Sequence, residues 1–356
     1  VNMIVKNIKL ENEDGLHARP AANLVKIAKQ YESSVKLDIS GKEYNAKSIL
    51  SIMICFIAAV VIGRILIPML TRINFGQRIS EYVGESHRKK EGTPTMGGII
   101  FIIPTILANL FLVIDGRLEM TYNLLIIMVV FVLYAFIGFL DDYLSLKHGK
   151  NEGLTVSQKF IAQIIVAVIF FFIYMKYNGN TYFTVSTLGI HINLGWLYGL
   201  LILFLLVGFS NAVNLTDGLD GLAGGLSAIA FVAFALISLF IGKEDVGFFC
   251  FVLTGALAGF LMFNAYPARV FMGDTGSLAL GAVLATVAIL TRREVTLFVI
   301  GLVFVLETLS VMIQVFWYKK TKKRIFLMTP IHHHFERKGY EEPDIVKGFW
   351  LAGIIC

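Results

Sequence analysis

Long apolar runs recur through most of this chain, and they constrain its fold more than any other feature of the sequence. A helix of about 20 apolar residues can cross a bilayer, where its backbone polar groups must be bonded internally. With 56% hydrophobic and only 16% charged residues, the 356-residue chain has more apolar surface than a soluble core can bury. The sequence therefore predicts an all-α polytopic membrane protein.

Ten apolar runs predict about ten transmembrane helices. They lie at about 49–70, 97–114, 122–140, 158–175, 195–212, 219–241, 246–264, 274–291, 294–317 and 346–356. The last run is shorter than a crossing helix, so we expect that helix to be truncated. The three cysteines lie in apolar runs without CxxC spacing, which favours neither disulfides nor a thiolate metal site.

Lysine and arginine residues concentrate in two connections between the predicted helices. These are Arg72, Arg78, Arg88, Lys89 and Lys90 after the first helix, and Lys319, Lys320, Lys322, Lys323, Arg324, Arg337 and Lys338 after the ninth. Because cytoplasmic connections carry an excess of basic residues, both are predicted to be cytoplasmic. The net charge of +6 then reflects topology and anionic substrates, and no nucleic-acid partner is expected. On the outer side, the alternating β-branched residues of 180–193 predict a small hairpin.

Four polar clusters fall at the predicted cytoplasmic ends of the helices. They are Asp141 with Asp142; Asn211, Asn214, Asp217 and Asp220; Asn264 with Asp274; and His332, His333 and His334. Ionisable residues at membrane depth are costly, so they indicate function by default. We therefore expect an active-site cleft that opens to the cytoplasm.

Each cluster also has a plainer interpretation. Asp141 and Asp142 are expected at a helix end, where water could simply solvate them. Asp217 and Asp220 would share one helical face if a helix begins there, or they could cap its start. Asp274 could be an N-cap, which need not exclude metal binding.

Magnesium is the metal that these residue types favour. It prefers oxygen ligands and is usually held by one or two carboxylates together with substrate phosphates, a requirement that Asp217, Asp220 and Asp274 meet. The triple histidine lacks the Cys or HExxH partners of a zinc site, so contact with phosphate is favoured. GTPTMGG at 92–98 is not a P-loop, and we expect it to be a flexible entry to the second helix.

Together these motifs resemble the phospho-N-acetylmuramoyl-pentapeptide transferase family. GTPTMGG, FLDDY, NAVNLTDGLDGLA, NAYPARVFMGDTGS and TPIHHHFE occur in the family order, from about residue 50 onward. The resemblance implies magnesium-dependent transfer from UDP-MurNAc-pentapeptide to undecaprenyl phosphate, which yields lipid I and UMP. It also implies a homodimer in the bacterial inner membrane.

The resemblance assigns roles to individual residues. Asp274 is implied as the magnesium ligand. Asp141, Asp142, Asp217, Asp220, His332, His333 and His334 are implied as catalytic residues, and Asn211, Asn214, Asn264, Phe271 and Lys159 as substrate-binding residues. Which aspartate is the base, and whether a covalent intermediate forms, stays open.

Residues 3–53 resemble the first part of the HPr phosphocarrier family instead. The resemblance makes His17 the phosphorylated residue, with Arg19 nearby and Ser48 as a regulatory site. Because about half of that small α/β fold is missing, its sheet would have exposed edges and little core. We expect residues 1–48 to have no phosphocarrier function and residues 49–356 to form the transferase domain.

Two other functions compete with this interpretation. A relative that transfers N-acetylglucosamine phosphate would share the aspartates. An ion-coupled transporter would also have many helices, but it would need acidic residues near the middle of the membrane.

Overall fold

The computed structural model describes residues 36–39, 42–72, 92–116, 118–148, 153–177, 179–185 and 189–356. The described elements are strands β1 (Lys36–Ile39), β2 (Lys42–Asn45), β3 (Tyr182–Val185) and β4 (Ile190–Asn193), with a short 3-10 helix at Gly195–Leu197. The helices are α1 (Ala46–Arg72), α2 (Ile99–Ile114), α3 (Tyr122–His148), α4 (Val156–Tyr177), α5 (Tyr198–Thr216), α6 (Leu222–Phe240), α7 (Glu244–Asn264), α8 (Gly273–Thr291), α9 (Glu294–Ile300), α10 (Leu302–Thr321), α11 (Ile331–Arg337) and α12 (Glu342–Ile355).

Eight of the described helices are long and apolar enough to cross a membrane, which confirms a multi-pass membrane protein. They are α1, α3, α4, α5, α6, α7, α8 and α10. The second predicted span forms a shorter apolar helix of 16 residues, α2, and the last forms α12 with 14 residues. The expected number of ten spans therefore stays a prediction.

The ninth predicted span is not one continuous helix. It breaks at Gly301, which ends α9 and precedes α10. A Cβ added to Gly301 would lie 2.8 Å from a ring carbon of Phe209 on α5. The break therefore occurs where the chain passes so close to a neighbouring helix that a side chain would clash.

Helix α8 forms the centre of the bundle. Every residue from Thr275 to Thr291 is buried, and α3 and α5 pack along it. Glycines allow this close approach: a Cβ on Gly138 of α3 would lie 2.0 Å from the Asp274 carbonyl oxygen, and one on Gly281 of α8 would lie 2.1 Å from the Phe209 carbonyl oxygen. Close backbone packing through small residues is typical of membrane helix bundles.

The hairpin predicted at 180–193 is confirmed, and its place on the outer side of the membrane stays a prediction. Strands β3 and β4 pair antiparallel, with Tyr182 opposite Asn193 and Val185 opposite Ile190. The hydroxyl of Thr181 donates a hydrogen bond of 2.8 Å to the side-chain oxygen of Asn193, which ties the two ends of the hairpin together.

The N-terminal region is described only in part. Strands β1 and β2 pair antiparallel, and α1 follows β2 directly at Ala46. Helix α1 therefore runs across the predicted domain boundary at residue 48. His17 and Arg19 lie outside the described residues, as does the side chain of Ser48.

We predict that Gly138→Ala destabilises the bundle by about 1–3 kcal/mol, because the new methyl group must push α3 away from the first turn of α8. The expected result is a lower melting temperature in detergent. The matched control is Gly208→Ala on α5, where no other atom lies within 4 Å of the added Cβ. This control should leave stability unchanged or raise it by up to about 1 kcal/mol. Equal melting temperatures for the two variants would contradict the proposed contact.

Candidate active site

Asp142 holds the first turn of α8. Its Oδ1 accepts a hydrogen bond from the Asp274 backbone N–H at 3.1 Å, and its Oδ2 accepts from the N–H and the hydroxyl of Thr275 at 2.9 and 2.6 Å. The first N–H groups of a helix have no partner within that helix, and a carboxylate suits them in both hydrogen bonding and charge. Asp142 thus fixes the position of Asp274 from a different helix.

The predicted placement of Asp141 and Asp142 at a helix end is wrong. Helix α3 continues to His148, more than a turn beyond them. The carboxylates do not need a water-exposed helix end because they have partners: Asp142 is only 7% exposed and bonded to α8, and the Asp141 Oδ1 accepts from the Leu154 N–H at 2.9 Å.

Lys159 on α4 brings two of the predicted carboxylates together. Its Nζ lies 2.5 Å from the Asp274 Oδ2 and 3.1 Å from the Asp141 Oδ2. Asn214 donates to the other Asp274 oxygen at 2.7 Å and to the Ser277 hydroxyl at 2.9 Å. Both oxygens of Asp274 are therefore oriented by side chains from separate helices, α4 and α5.

Asp217 and Asp220 lie on a loop and not on a common helical face. Helix α5 ends at Thr216 and α6 begins at Leu222, so the predicted i, i+3 arrangement is wrong. Burial first, and then the neighbouring carboxylates of Asp274, Asp142 and Asp220, together raise the pKa of Asp217 to about 8. Asp217 thus belongs to the same carboxylate cluster as Asp274.

Asp220 and Asn264 hold the backbone around the site. The Asp220 Oδ2 accepts from the Ala268 N–H at 2.9 Å. The Asn264 amide accepts from the Gly221 N–H at 3.2 Å and donates to the Val270 carbonyl at 3.0 Å. These contacts tie the α5–α6 loop to the segment between α7 and α8.

The GTPTMGG segment, predicted to be flexible, is bonded to the residues that precede Asp274. The Phe271 N–H donates to the Pro94 carbonyl at 2.8 Å, and the Gly97 N–H donates back to the Phe271 carbonyl at 2.8 Å. The Gly98 N–H then donates to the Met272 carbonyl at 2.9 Å. This part of the predicted entry loop is therefore an integral wall of the site, and it places Phe271 beside Asp274.

Asn211 lies one turn before Asn214 on α5. Its side-chain amide donates to the Gln163 Oε1 at 2.9 Å and to the Val207 carbonyl at 2.8 Å. Because Gln163 is on α4, one turn after Lys159, Asn211 helps to hold α4 against α5 near the Lys159 contact.

His332 is fully buried beside a carboxylate that the sequence analysis missed. Its Nδ1 lies 3.1 Å from the Oε2 of Glu307, which is also fully buried. A Cβ added to Gly218 would lie 2.3 Å from the His332 Nε2, so the imidazole packs directly on the loop that carries Asp217. Of the three histidines, His332 is thus placed against the carboxylate cluster.

His333 and His334 have other hydrogen-bonding partners, although the ring centroids of His332 and His333 are only 4.2 Å apart. The His333 Nδ1 pairs with the Glu336 Oε2 at 2.5 Å, and both side chains remain partly exposed. The His334 Nδ1 accepts from the Leu327 N–H at 3.1 Å, which stabilises the connection before α11. The three adjacent histidines therefore have different polar partners, while the rings of His332 and His333 remain in contact.

Thr275, Ser277, Glu307 and Glu342 also contribute to this region, although the sequence analysis did not identify them. Glu307 had a usable signal, because it is the one acidic residue within the apolar helix Leu302–Thr321. Glu342 had none, since an acidic residue at the start of a helix is ordinary.

The carboxylate cluster fits a magnesium ion that obtains most of its ligands from substrate. No group of three or more His, Cys, Asp or Glu side chains within the described ranges has the spacing of a complete metal site. The carboxylates of Asp141 and Asp274 nevertheless lie within 3.1 Å of one cation, the Lys159 ammonium, so a positive charge is already held between their oxygens. Magnesium commonly uses one or two carboxylates plus substrate phosphates.

Comparisons with known sequences agree with the motifs. Residues 124–292 match the profile of glycosyl transferase family 4, and residues 90–102 match phospho-N-acetylmuramoyl-pentapeptide-transferase signature 1. Residues 4–59 match the PTS HPr component phosphorylation site profile, which confirms the N-terminal resemblance. The HPr match extends into α1, which begins at Ala46.

Curated relatives cover nearly the whole chain. The phospho-N-acetylmuramoyl-pentapeptide-transferase of Bacillus subtilis (strain 168) is 48% identical over 305 residues, which are 86% of this chain and 94% of the relative. The protein of the same name from Geobacillus kaustophilus (strain HTA426) is 48% identical over 309 residues, with the same two coverages. This extent of identity shows that the chain belongs to the phospho-N-acetylmuramoyl-pentapeptide-transferase family.

Proposed function

We propose that this protein transfers phospho-MurNAc-pentapeptide from UDP-MurNAc-pentapeptide to undecaprenyl phosphate in a magnesium-dependent reaction of peptidoglycan synthesis. The products are UMP and lipid I. The observation that carries this proposal is the 48% identity to transferases of that name over 86% of the chain. The carboxylates around Lys159 support it, because they offer oxygen ligands to magnesium, which would offset the charge of two anionic phosphate substrates.

The reaction exchanges one phosphorus–oxygen bond for another. An oxygen of the acceptor phosphate forms a bond to the phosphorus next to the sugar, and the bond from that phosphorus to UMP breaks. Asp141 is proposed to accept the acceptor proton, as a general base. Asp274 would hold magnesium, which supplies positive charge against the leaving UMP when it is bound.

The residues around Asp274 orient it for this role. Asp142 fixes its backbone, Asn214 donates to one of its oxygens, and Lys159 contacts the other. Lys159 lies between Asp141 and Asp274, so its ammonium group would also be placed to contact a substrate phosphate if Asp274 held magnesium. Asp217, His332 and Phe271 are proposed to complete the walls of the same cleft.

The site is proposed to face the cytoplasm of a bacterial plasma membrane. Basic residues at the ends of α1 and α10, among them Arg72, Lys319 and Lys320, support this orientation. A homodimer, and the lack of phosphocarrier function in residues 1–48, stay predictions.

The substrate assignment is tested by supplying the purified chain with undecaprenyl phosphate, magnesium and either UDP-MurNAc-pentapeptide or UDP-N-acetylglucosamine. We expect UMP release with the first nucleotide and little with the second. Preference for the second would favour the N-acetylglucosamine-phosphate relative. Ion-driven uptake into vesicles without UMP release from either would favour a transporter.

Asp274→Asn should lower magnesium-dependent turnover by about 10²-fold or more, because the amide carries no charge for the cation. The variant keeps the shape of the side chain and its backbone contact with Asp142. Asp115→Asn, at an exposed position after α2, is the matched control and should turn over normally. Unchanged turnover in Asp274→Asn would contradict the assignment of Asp274 as the magnesium ligand.

Lys159→Met should lower kcat by about tenfold or more, because Asp141 and Asp274 lose the cation that orients them. The magnesium concentration at half-maximal turnover should not rise, since removing a positive charge strengthens the field for a divalent cation. A titration of turnover against magnesium measures both quantities. A higher magnesium requirement with unchanged kcat would contradict the positioning role.

A further inference from the structure

Helix α12 contacts the loop that carries Asp217, although the two are more than 100 residues apart in the sequence. Glu342, in the first turn of α12, is only 8% exposed. Its Oε1 accepts a hydrogen bond of 2.7 Å from the Asp220 backbone N–H. A short hydrogen bond to a buried carboxylate is among the stronger contacts that a loop backbone can make.

Trp350 holds the next residue of the same loop from further along α12. Its indole N–H donates to the Gly221 carbonyl at 3.2 Å. The ring fills the space above Gly225 on α6, where an added Cβ would lie 2.1 Å from an indole carbon. Glu342 therefore binds the backbone N–H of Asp220, and Trp350 binds the backbone carbonyl of the next residue, Gly221.

The opposite side of the loop is held as well. The Asn264 side chain accepts from the Gly221 N–H, and the Asp220 carboxylate accepts from the Ala268 N–H. Gly221 has φ 78°, a conformation that glycine adopts without strain. The backbone just after Asp217 is thus fixed between the α7–α8 segment and α12.

An ordinary role for Glu342 would be a favourable charge at a helix start. Asp344 in the same turn fits that role, because its side chain is 65% exposed and pairs only loosely with Lys347, at 3.4 Å. Glu342 differs, since it is buried and bonded to another part of the protein. This contrast indicates a role for Glu342 in shaping the loop beyond stabilising its own helix.

We propose that Glu342 and Trp350 are positioning residues for the transfer reaction, and that α12 sets the loop from Asp217 to Gly221 in its working conformation. The proposal rests on the proposed function and extends it to the end of the chain. Neither side chain needs to touch substrate, because each acts through the loop backbone. Asp217 is the group whose placement depends on them.

The test compares Glu342→Ala, Glu342→Gln and the matched control Asp344→Ala in the full chain, by kcat, KM and melting temperature. Glu342→Ala should lower kcat about tenfold or more, because the loop loses its acceptor at Asp220. Glu342→Gln should restore most of this loss, since its side-chain oxygen can accept the same hydrogen bond. Asp344→Ala should match the wild type.

Normal kcat in folded Glu342→Ala would overturn the proposal, and so would a Gln variant as slow as the Ala variant. If Glu342→Ala cannot be obtained as folded protein, Trp350→Phe tests the proposal instead. It keeps an aromatic ring over Gly225 and removes the indole donor, so kcat should fall while the melting temperature stays close to that of the wild type. A kcat equal to that of the wild type in Trp350→Phe would contradict the proposal. Absence of turnover in the wild type and Asp344→Ala would instead count against the proposed function.

Discussion

The hydrogen bonds from the first turn of α8 to Asp142 are the contact on which the rest of the site depends. Helix α8 is buried along nearly its whole length, so its N-terminal N–H groups cannot rely on bulk water. Asp142 supplies the missing acceptors from α3. Once this end is fixed, Asp274 has a defined position, and Lys159 and Asn214 can reach it from two further helices.

The carboxylates in this region are bonded by side chains and backbone groups from many parts of the chain. Lys159 offsets part of the charge of Asp141 and Asp274, and burial, followed by the neighbouring carboxylates, raises the pKa of Asp217. Burial of a charge is costly unless it is paired. Glu307 is also buried, and its partner is the imidazole of His332.

The histidine motif illustrates how one sequence pattern divides into different structural tasks. His332 packs on the Asp217 loop, His333 pairs with Glu336, and His334 holds the connection before α11. The rings of His332 and His333 lie 4.2 Å apart, yet their carboxylate partners differ, Glu307 for the first and Glu336 for the second. Their common residue type therefore does not imply a common role.

The sequence by itself determined the membrane class, most helix positions, the hairpin at 180–193 and the family. These follow from residue periodicity and from motifs, which are local properties of the chain. It also identified the aspartates that gather near α8, because ionisable residues at membrane depth are costly and indicate function.

Only the tertiary structure decided which groups meet. The partner of Asp142 lies 133 residues away at Thr275, and that of Asp220 lies 122 residues away at Glu342. The break at Gly301 likewise lies against a distant residue, Phe209 on α5, which the local sequence does not reveal. Contacts between distant segments depend on how helices pack against one another, and no local pattern in a single chain encodes that packing directly.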